Sequence, residues 1–168
     1  MITAQNLILT EIQVKQILRR MAYEIYENNF EEKSIFLVGV FDKGYHLAEV
    51  IKKEIEEIVD KSKIYLVRLD INKESPLASD VKLDIGLEKL KGKAVVMVDD
   101  VLNTGRTLAH SLKALLEVDL KKVETAVLVN RSHKAFPLSA KYKGYELSTT
   151  IDEHVEVKLD KDAGVYLY

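Results

Sequence analysis

The stretch Ala94-Val-Val-Met-Val-Asp-Asp-Val-Leu-Asn-Thr-Gly-Arg-Thr107 decides how this chain folds. Its first five residues are apolar and mostly β-branched, which suits a strand buried on both faces of a parallel sheet. The turn Lys91-Gly-Lys93 introduces it. Asp99 and Asp100 stand where that strand is expected to end. Leu102–Thr107 reads as the loop that opens a helix over 107–116, with Leu108, Leu112, Leu115 and Leu116 inward. In open α/β sheets, ligands sit beyond the carboxyl ends of the strands. Two adjacent carboxylates at such a point are costly unless they meet hydroxyls, a cation or solvent. The diol of a ribose meets that need, with Mg²⁺ held nearby. Thr104, Gly105, Arg106 and Thr107 put free amides at a helix start, where the helix dipole favours an anion. Gly105 lets the backbone approach that anion closely. An aspartate at a strand end followed by a threonine cap is common as plain structure. The complete run after an apolar strand is better explained by a sugar held by the acids and its phosphate held by the amides.

Outward from this unit, strands and helices alternate. Thr10 with Gln13 fits a capping box, and Ile12, Val14, Ile17, Leu18, Met21, Ala22 and Ile25 follow at helical spacing. Ser34–Val40 reads as a second buried strand, and Leu47, Val50, Ile51, Ile55 and Ile58 as the stripe of a second helix. Ile64–Leu69 and Val123–Val129 read as further strands. Residues 70–85 carry turn chemistry around Asn72-Lys-Glu-Ser-Pro76, and Val81-Lys-Leu-Asp-Ile85 alternates like an exposed strand. That region is expected to be a hairpin or flap. The alternation predicts an α/β fold with a twisted, mainly parallel sheet covered by helices on both faces.

Bulk properties set limits. A composition 47% hydrophobic and 31% charged fits one soluble globular domain over 1–168. There is no cysteine, which excludes disulfides and thiolate metal sites. With Met1–Asn6 lacking the basic segment of a signal peptide, a cytoplasmic location is expected. A net charge of −2 gives no global pull toward nucleic acid. The one local excess of positive charge is Lys121, Lys122, Arg131, Lys134, Lys141 and Lys143 against Glu124, which reads as a solvated face before it reads as a polyanion site.

Val95–Thr107 resembles the signature of type I phosphoribosyltransferases. Ile8-Leu-Thr-Glu11, Leu37-Val-Gly-Val40, Ala126-Val-Leu-Val-Asn-Arg-Ser-His-Lys-Ala-Phe-Pro137, Lys141-Tyr-Lys-Gly-Tyr145, Val155-Glu-Val-Lys-Leu159 and Gly164-Val-Tyr166 look like the pyrimidine-operon attenuator/uracil phosphoribosyltransferase branch. The resemblance implies the type I fold, with a small hood from the N- and C-terminal segments and a flexible flap over about 70–86. It implies transfer of ribose-5-phosphate from phosphoribosyl pyrophosphate to a nucleobase, uracil in this branch, with release of pyrophosphate. Asp99 and Asp100 would bind the ribose hydroxyls, and Mg²⁺ indirectly through substrate or water. Asn103, Thr104, Gly105, Arg106 and Thr107 would hold the 5-phosphate. Phe41, Asp42, Lys43 and Gly44 would form the pyrophosphate loop, with Lys43 as its cation. Asn130 and Arg131 would lie at the nucleobase, and His133 draws notice as a titratable neighbour. The chain also departs from the branch. Phe41 and Asp42 stand where related loops are richer in arginine, Lys73 is the one cation of residues 70–80 in place of a Tyr-Arg pair, and Ser132 stands where many relatives have glycine. Two other readings stay open, an RNA-binding attenuator and a catalytically weak nucleotide sensor. The family implies a homodimer or higher homo-oligomer, for which Tyr23, Tyr26, Phe30 and Phe136 are the surface candidates.

Overall fold

A computed structural model describes residues 5–59, 63–131 and 133–168; Met1–Ala4, Asp60–Ser62 and the Ser132 substitution lie outside them. The chain runs β1 (Asn6–Thr10), α1 (Glu11–Asn29), β2 (Ile35–Val40), α2 (Lys43–Ile58), β3 (Ile64–Asp70), β4 (Lys82–Leu83), a short 3₁₀ turn (Leu87–Leu90), β5 (Ala94–Leu102), α3 (Arg106–Leu115), β6 (Lys122–Asn130), β7 (Tyr142–Glu146), β8 (Val155–Lys158) and β9 (Gly164–Leu167).

Two sheets result. The larger has the order β4-β3-β2-β5-β6-β7. Every neighbouring pair in it is parallel except β3 with β4. β2 is buried along its whole length, and the first six residues of β5 likewise, as their unbroken apolar runs require. The smaller sheet, β1-β9-β8, is antiparallel and joins the two ends of the described chain.

One face of the large sheet is covered by α1 and α2. Leu18, Met21, Ile25, Leu47, Ile51 and Ile55 pack there against Leu37, Val96 and Leu128. The other face is covered by α3 and the 70–90 region, where Leu108, Leu115 and Leu90 meet Val38, Val95, Met97 and Val127. The Thr10 capping box forms as its sequence requires: Thr10 Oγ1 accepts from the Gln13 amide at 3.3 Å, and the Gln13 side chain accepts from the Thr10 amide at 2.9 Å. Both helical stripes run past the core they were expected to fill. Ile12 is 69% and Leu116 59% exposed, because each sits at a helix end beyond the edge of the sheet.

Two expectations change. β5 does not stop at Val98: the ladder with β6 continues through Asp99↔Val127, Val101↔Val129 and Leu102↔Asn130, so both acids belong to the strand. In the flap, only Lys82–Leu83 pairs with β3. Asp84 still holds to β3, its amide donating to the Arg68 carbonyl at 3.1 Å and its carboxylate accepting the Arg68 amide at 2.9 Å, and the regular ladder goes no further. No helix among the described residues is long and apolar enough to cross a membrane.

Candidate active site

The connection from β2 returns through α2 on one face, and the connection from β5 returns through α3 on the other. Neighbouring strands whose crossovers leave in opposite directions open a crevice at their carboxyl ends, the usual ligand position of a doubly wound sheet. A cleft of about 280 Å³ lies there, between the end of β2, the end of β5 and the start of β8. Lys43, Asp99, Asp100 and the whole run Asn103–Thr107 line it, joined by Lys73, noted in the sequence as the flap cation, and by His154, to which the sequence assigned no role.

The two acids differ. Asp99 is 2% exposed, and its Oδ1 accepts the Asp100 amide at 2.9 Å and the Lys73 ammonium at 3.1 Å. Asp100 lies nearer solvent, with Oδ1 3.9 Å from the same ammonium. Burial pushes the Asp99 carboxyl up to about 7, the neighbouring Asp100 charge adds to the push, and Lys73 opposes it. One partly exposed ammonium against two carboxylates leaves the pair short of positive charge.

The loop after β5 is shaped by its backbone. Gly105 stands at φ +84°, the left-handed region, and immediately precedes α3. Thr104 Oγ1 accepts from the Arg106 amide at 3.2 Å, and the Thr104 carbonyl accepts from the Ala135 and Phe136 amides at 2.9 and 3.0 Å. The loop is thus pinned from behind, while the first-turn amides of α3 have no carbonyl one turn earlier to pair with.

Across the cleft, Lys43 and Gly44 open α2, and the Phe41–Asp42 peptide is cis. A Cβ on Gly44 would stand 2.6 Å from the Val98 carbonyl oxygen and 2.9 Å from Asp99 Cα. Only glycine lets this turn approach β5 so closely. Gly44→Ala is therefore expected to cost about 1–3 kcal/mol by overpacking, seen as a lower melting temperature. Phe41 and Asp42 point to other partners. The Arg68 guanidinium lies 5.3 Å from the Phe41 ring centroid, and Asp42 Oδ1 is 3.8 Å from His46 Nδ1. Lys43 Nζ lies 3.8 Å from Glu156 Oε1 on β8.

Asn130 and Arg131 follow the neighbouring strand, and their side chains are largely occupied. Asn130 Nδ2 donates to Glu146 Oε1 at 3.4 Å, while its buried Oδ1 has no partner among the described residues. Arg131 is buried. Its guanidinium donates to Thr149 Oγ1 at 2.6 Å, Asn103 Oδ1 at 3.3 Å, the Thr150 carbonyl at 2.9 Å and the Glu153 carbonyl. His133 Nε2 lies 3.0 Å from the Thr149 carbonyl. Arg131 and His133 therefore brace the segment 149–153 that leads into His154. No local pattern marks either bond, since their partners lie 16 to 22 residues further on.

The comparisons agree with this geometry. The phosphoribosyl transferase domain profile matches residues 5–162. The chain is 35% identical to the bifunctional protein PyrR of Ligilactobacillus salivarius over 167 residues, covering 94% of this chain and 93% of that protein. It is 31% identical to the PyrR of Haemophilus ducreyi over 170 residues, covering 96% and 93%. Among solved structures, the hypoxanthine phosphoribosyltransferase of Trypanosoma cruzi superposes with a TM-score of 0.78 at 14% identity, covering 96% of this chain and 95% of that one. A hypoxanthine-guanine phosphoribosyltransferase of Bacillus anthracis gives 0.72 at 19% identity, covering 88% and 85%. At those identities the structural likeness speaks for the fold alone. The sequence matches extend over almost the whole chain, and it is on them that this chain belongs to the phosphoribosyltransferase family, in the branch of the bifunctional PyrR proteins.

Proposed function

We propose that the chain moves ribose-5-phosphate from phosphoribosyl pyrophosphate to uracil. The bond from ribose C1 to the pyrophosphate oxygen breaks with its electron pair leaving on pyrophosphate. A ring nitrogen of the base bonds to C1 and gives up its proton. The observation that carries this reading is the meeting of two adjacent acids, Asp99 buried and Asp100 nearer solvent, with an amide-lined helix start in one cleft at the switch point of the sheet.

In this reading Asp99 and Asp100 accept from the ribose hydroxyls, and their charge favours the positive character that C1 gains as the bond breaks. Asn103–Thr107 hold the 5-phosphate through the first-turn amides of α3. Lys43 and the amide of Gly44 face the leaving pyrophosphate. Phe41 and Asp42 complete that loop without contributing a cation. Asn130 presents its unpartnered Oδ1 near the base, and Arg131 holds Asn103 and the 149–153 segment in register around it. Positioning of this kind accounts for most of the barrier lowering in a reaction that needs no protein nucleophile.

The acid pair suits a divalent cation, because two carboxylates, one of them buried, face a single ammonium. No cluster of three or more His, Asp or Glu that would hold a metal occurs among the described residues. Asp99 and Asp100 would therefore hold Mg²⁺ indirectly, through oxygens of the substrate or through water. When bound, Mg²⁺ supplies positive charge to the pyrophosphate oxygens.

The test is pyrophosphate release from phosphoribosyl pyrophosphate and Mg²⁺ with a panel of pyrimidine and purine bases. Release with uracil, lost in Asp100→Asn, is the expected result. A protein that binds phosphoribosyl pyrophosphate yet is inert toward every base would instead be a nucleotide sensor. An RNA-binding role, implied by the likeness to attenuators, draws little from the 121–143 cluster. Lys121, Lys122, Lys141 and Lys143 each lie within an ion pair, with Glu32, Glu124 or Glu146. A cytoplasmic location and a homodimer belong to the same proposal, the latter supported by exposed Tyr23 and Phe30 on α1.

A further inference from the structure

The cation at the acid pair comes from the flap. Lys73 is the only lysine or arginine between Asp70 and Asp80. It meets acids 26 and more residues further along the chain, placing Nζ 3.1 Å from Asp99 Oδ1 and 3.9 Å from Asp100 Oδ1. Its turn is fixed at the base: Asn72 Oδ1 accepts the amides of Glu74 and Ser75 at 3.1 and 3.0 Å. The turn thus aims the side chain into the cleft while leaving it partly open to solvent, 37% exposed against 3% for Asp99. A four-carbon stem on a two-strand flap can swing. The carboxylates on β5 cannot.

This contact occupies the ground that a substrate and its metal would need. An ammonium about 3 to 4 Å from both acids repels any second cation brought to them. Its hydrogen bond to Asp99 also takes one lone pair of that carboxylate from the sugar hydroxyls. For the acids to be released, Lys73 needs another anion in reach. A pyrophosphate in the same cleft, facing Lys43, is such an anion.

We propose that Lys73 guards the acid pair: in the free protein it is the counter-ion of Asp99 and Asp100, and on loading it transfers to the diphosphate of the substrate, so that the carboxylates accept a divalent cation only when a diphosphate is present. The inference rests on the reading of Asp99 and Asp100 as the ribose site. It adds an order to binding, with metal and diphosphate entering together, and it ties the position of the flap to the occupancy of the cleft.

Mn²⁺ serves as the probe, followed by water-proton relaxation, which responds to protein-bound Mn²⁺. Without substrate, the wild-type protein is expected to bind it weakly. Lys73→Met keeps the stem and removes the charge, and it is expected to bind Mn²⁺ roughly ten- to a hundredfold more tightly. Lys73→Arg should behave as wild type. Inorganic pyrophosphate should tighten Mn²⁺ binding to the wild type far more than to Lys73→Met. Equal Mn²⁺ affinity of wild type and Lys73→Met in the absence of pyrophosphate overturns the proposal, as does an equal response of the two to pyrophosphate. The readout is separate from turnover. A tight-binding Lys73→Met in a protein that never releases pyrophosphate sinks the transferase reading alone, while normal turnover with unchanged Mn²⁺ affinity sinks this one alone.

Discussion

Asp99→Asn is expected to melt higher than the wild-type protein at pH 8 while losing about two orders of magnitude in kcat/KM. The two effects share one cause. Asp99 sits almost wholly out of water beside a second carboxylate, and its carboxyl is pushed up to about 7, by burial first and by Asp100 second. In the unfolded chain the same carboxyl titrates near 4. Between about pH 4 and pH 7 the unfolded chain therefore gives up a proton that the folded protein keeps. Stability falls as pH rises through that window, and the loss is complete above it. Asparagine carries no such proton. It keeps an oxygen for the Asp100 amide and for Lys73 and removes the buried charge. The gain at pH 8 should be about 1–3 kcal/mol, several degrees in melting temperature, and should vanish near pH 4. The loss of activity follows from the missing charge at the proposed sugar site, where hydrogen bonds to a charged acceptor are the strong ones. Melting curves at pH 4, 6 and 8, set beside steady-state rates, check both. A variant no more stable at pH 8 than wild type would refute the buried-charge account, and one with undiminished kcat/KM would remove Asp99 from the sugar site.

Arg131→Ala carries the largest expected cost in stability, about 2–4 kcal/mol. The substitution strips four side-chain hydrogen bonds at once and strands the carbonyls of Thr150 and Glu153. It also unties Asn103, in the phosphate loop, from the segment that leads to His154 and Val155 at the rim of the cleft. Urea denaturation should show the midpoint shift, and limited proteolysis should cut within 147–154 sooner than in wild type. Arg131→Lys should recover only part of the loss, because an ammonium cannot imitate a planar fork that reaches four acceptors. Full stability in Arg131→Ala would mean that the 149–153 segment is held by something else.

The sequence discloses whatever is written in short-range pattern. The apolar runs of β2, β5 and β6 announce a buried parallel sheet, and the Thr10–Gln13 reciprocity announces the start of α1. The acid pair and the glycine-bearing loop are legible for the same reason: strand, acids, loop and helix lie within one contiguous stretch. What escapes depends on distant partners. The charges of Asp99 and Asp100 look like the end of a strand, yet pairing with β6 carries the ladder three residues further. Arg131 looks like a group for the base, and its guanidinium is claimed by residues 18 to 22 positions later. Lys73 looks like one more surface lysine until the fold brings the flap over β5. Val81–Ile85 has the alternation of a strand, but only Lys82–Leu83 pairs with β3 as a ladder, and the Asp84 carboxylate takes the next amide of β3.

The small sheet has a consequence for the order of folding. β1 pairs with β9 across almost the whole described chain, Asn6 opposite Leu167. β8, which brings His154 and Val155 to the cleft, is held by that same strand. Closing so long a loop costs entropy before any pairing offsets it. In refolding, the wall of the cleft that β8 forms is therefore expected to order after the strands of the large sheet, and pulse-labelling hydrogen exchange would show its amides protected last.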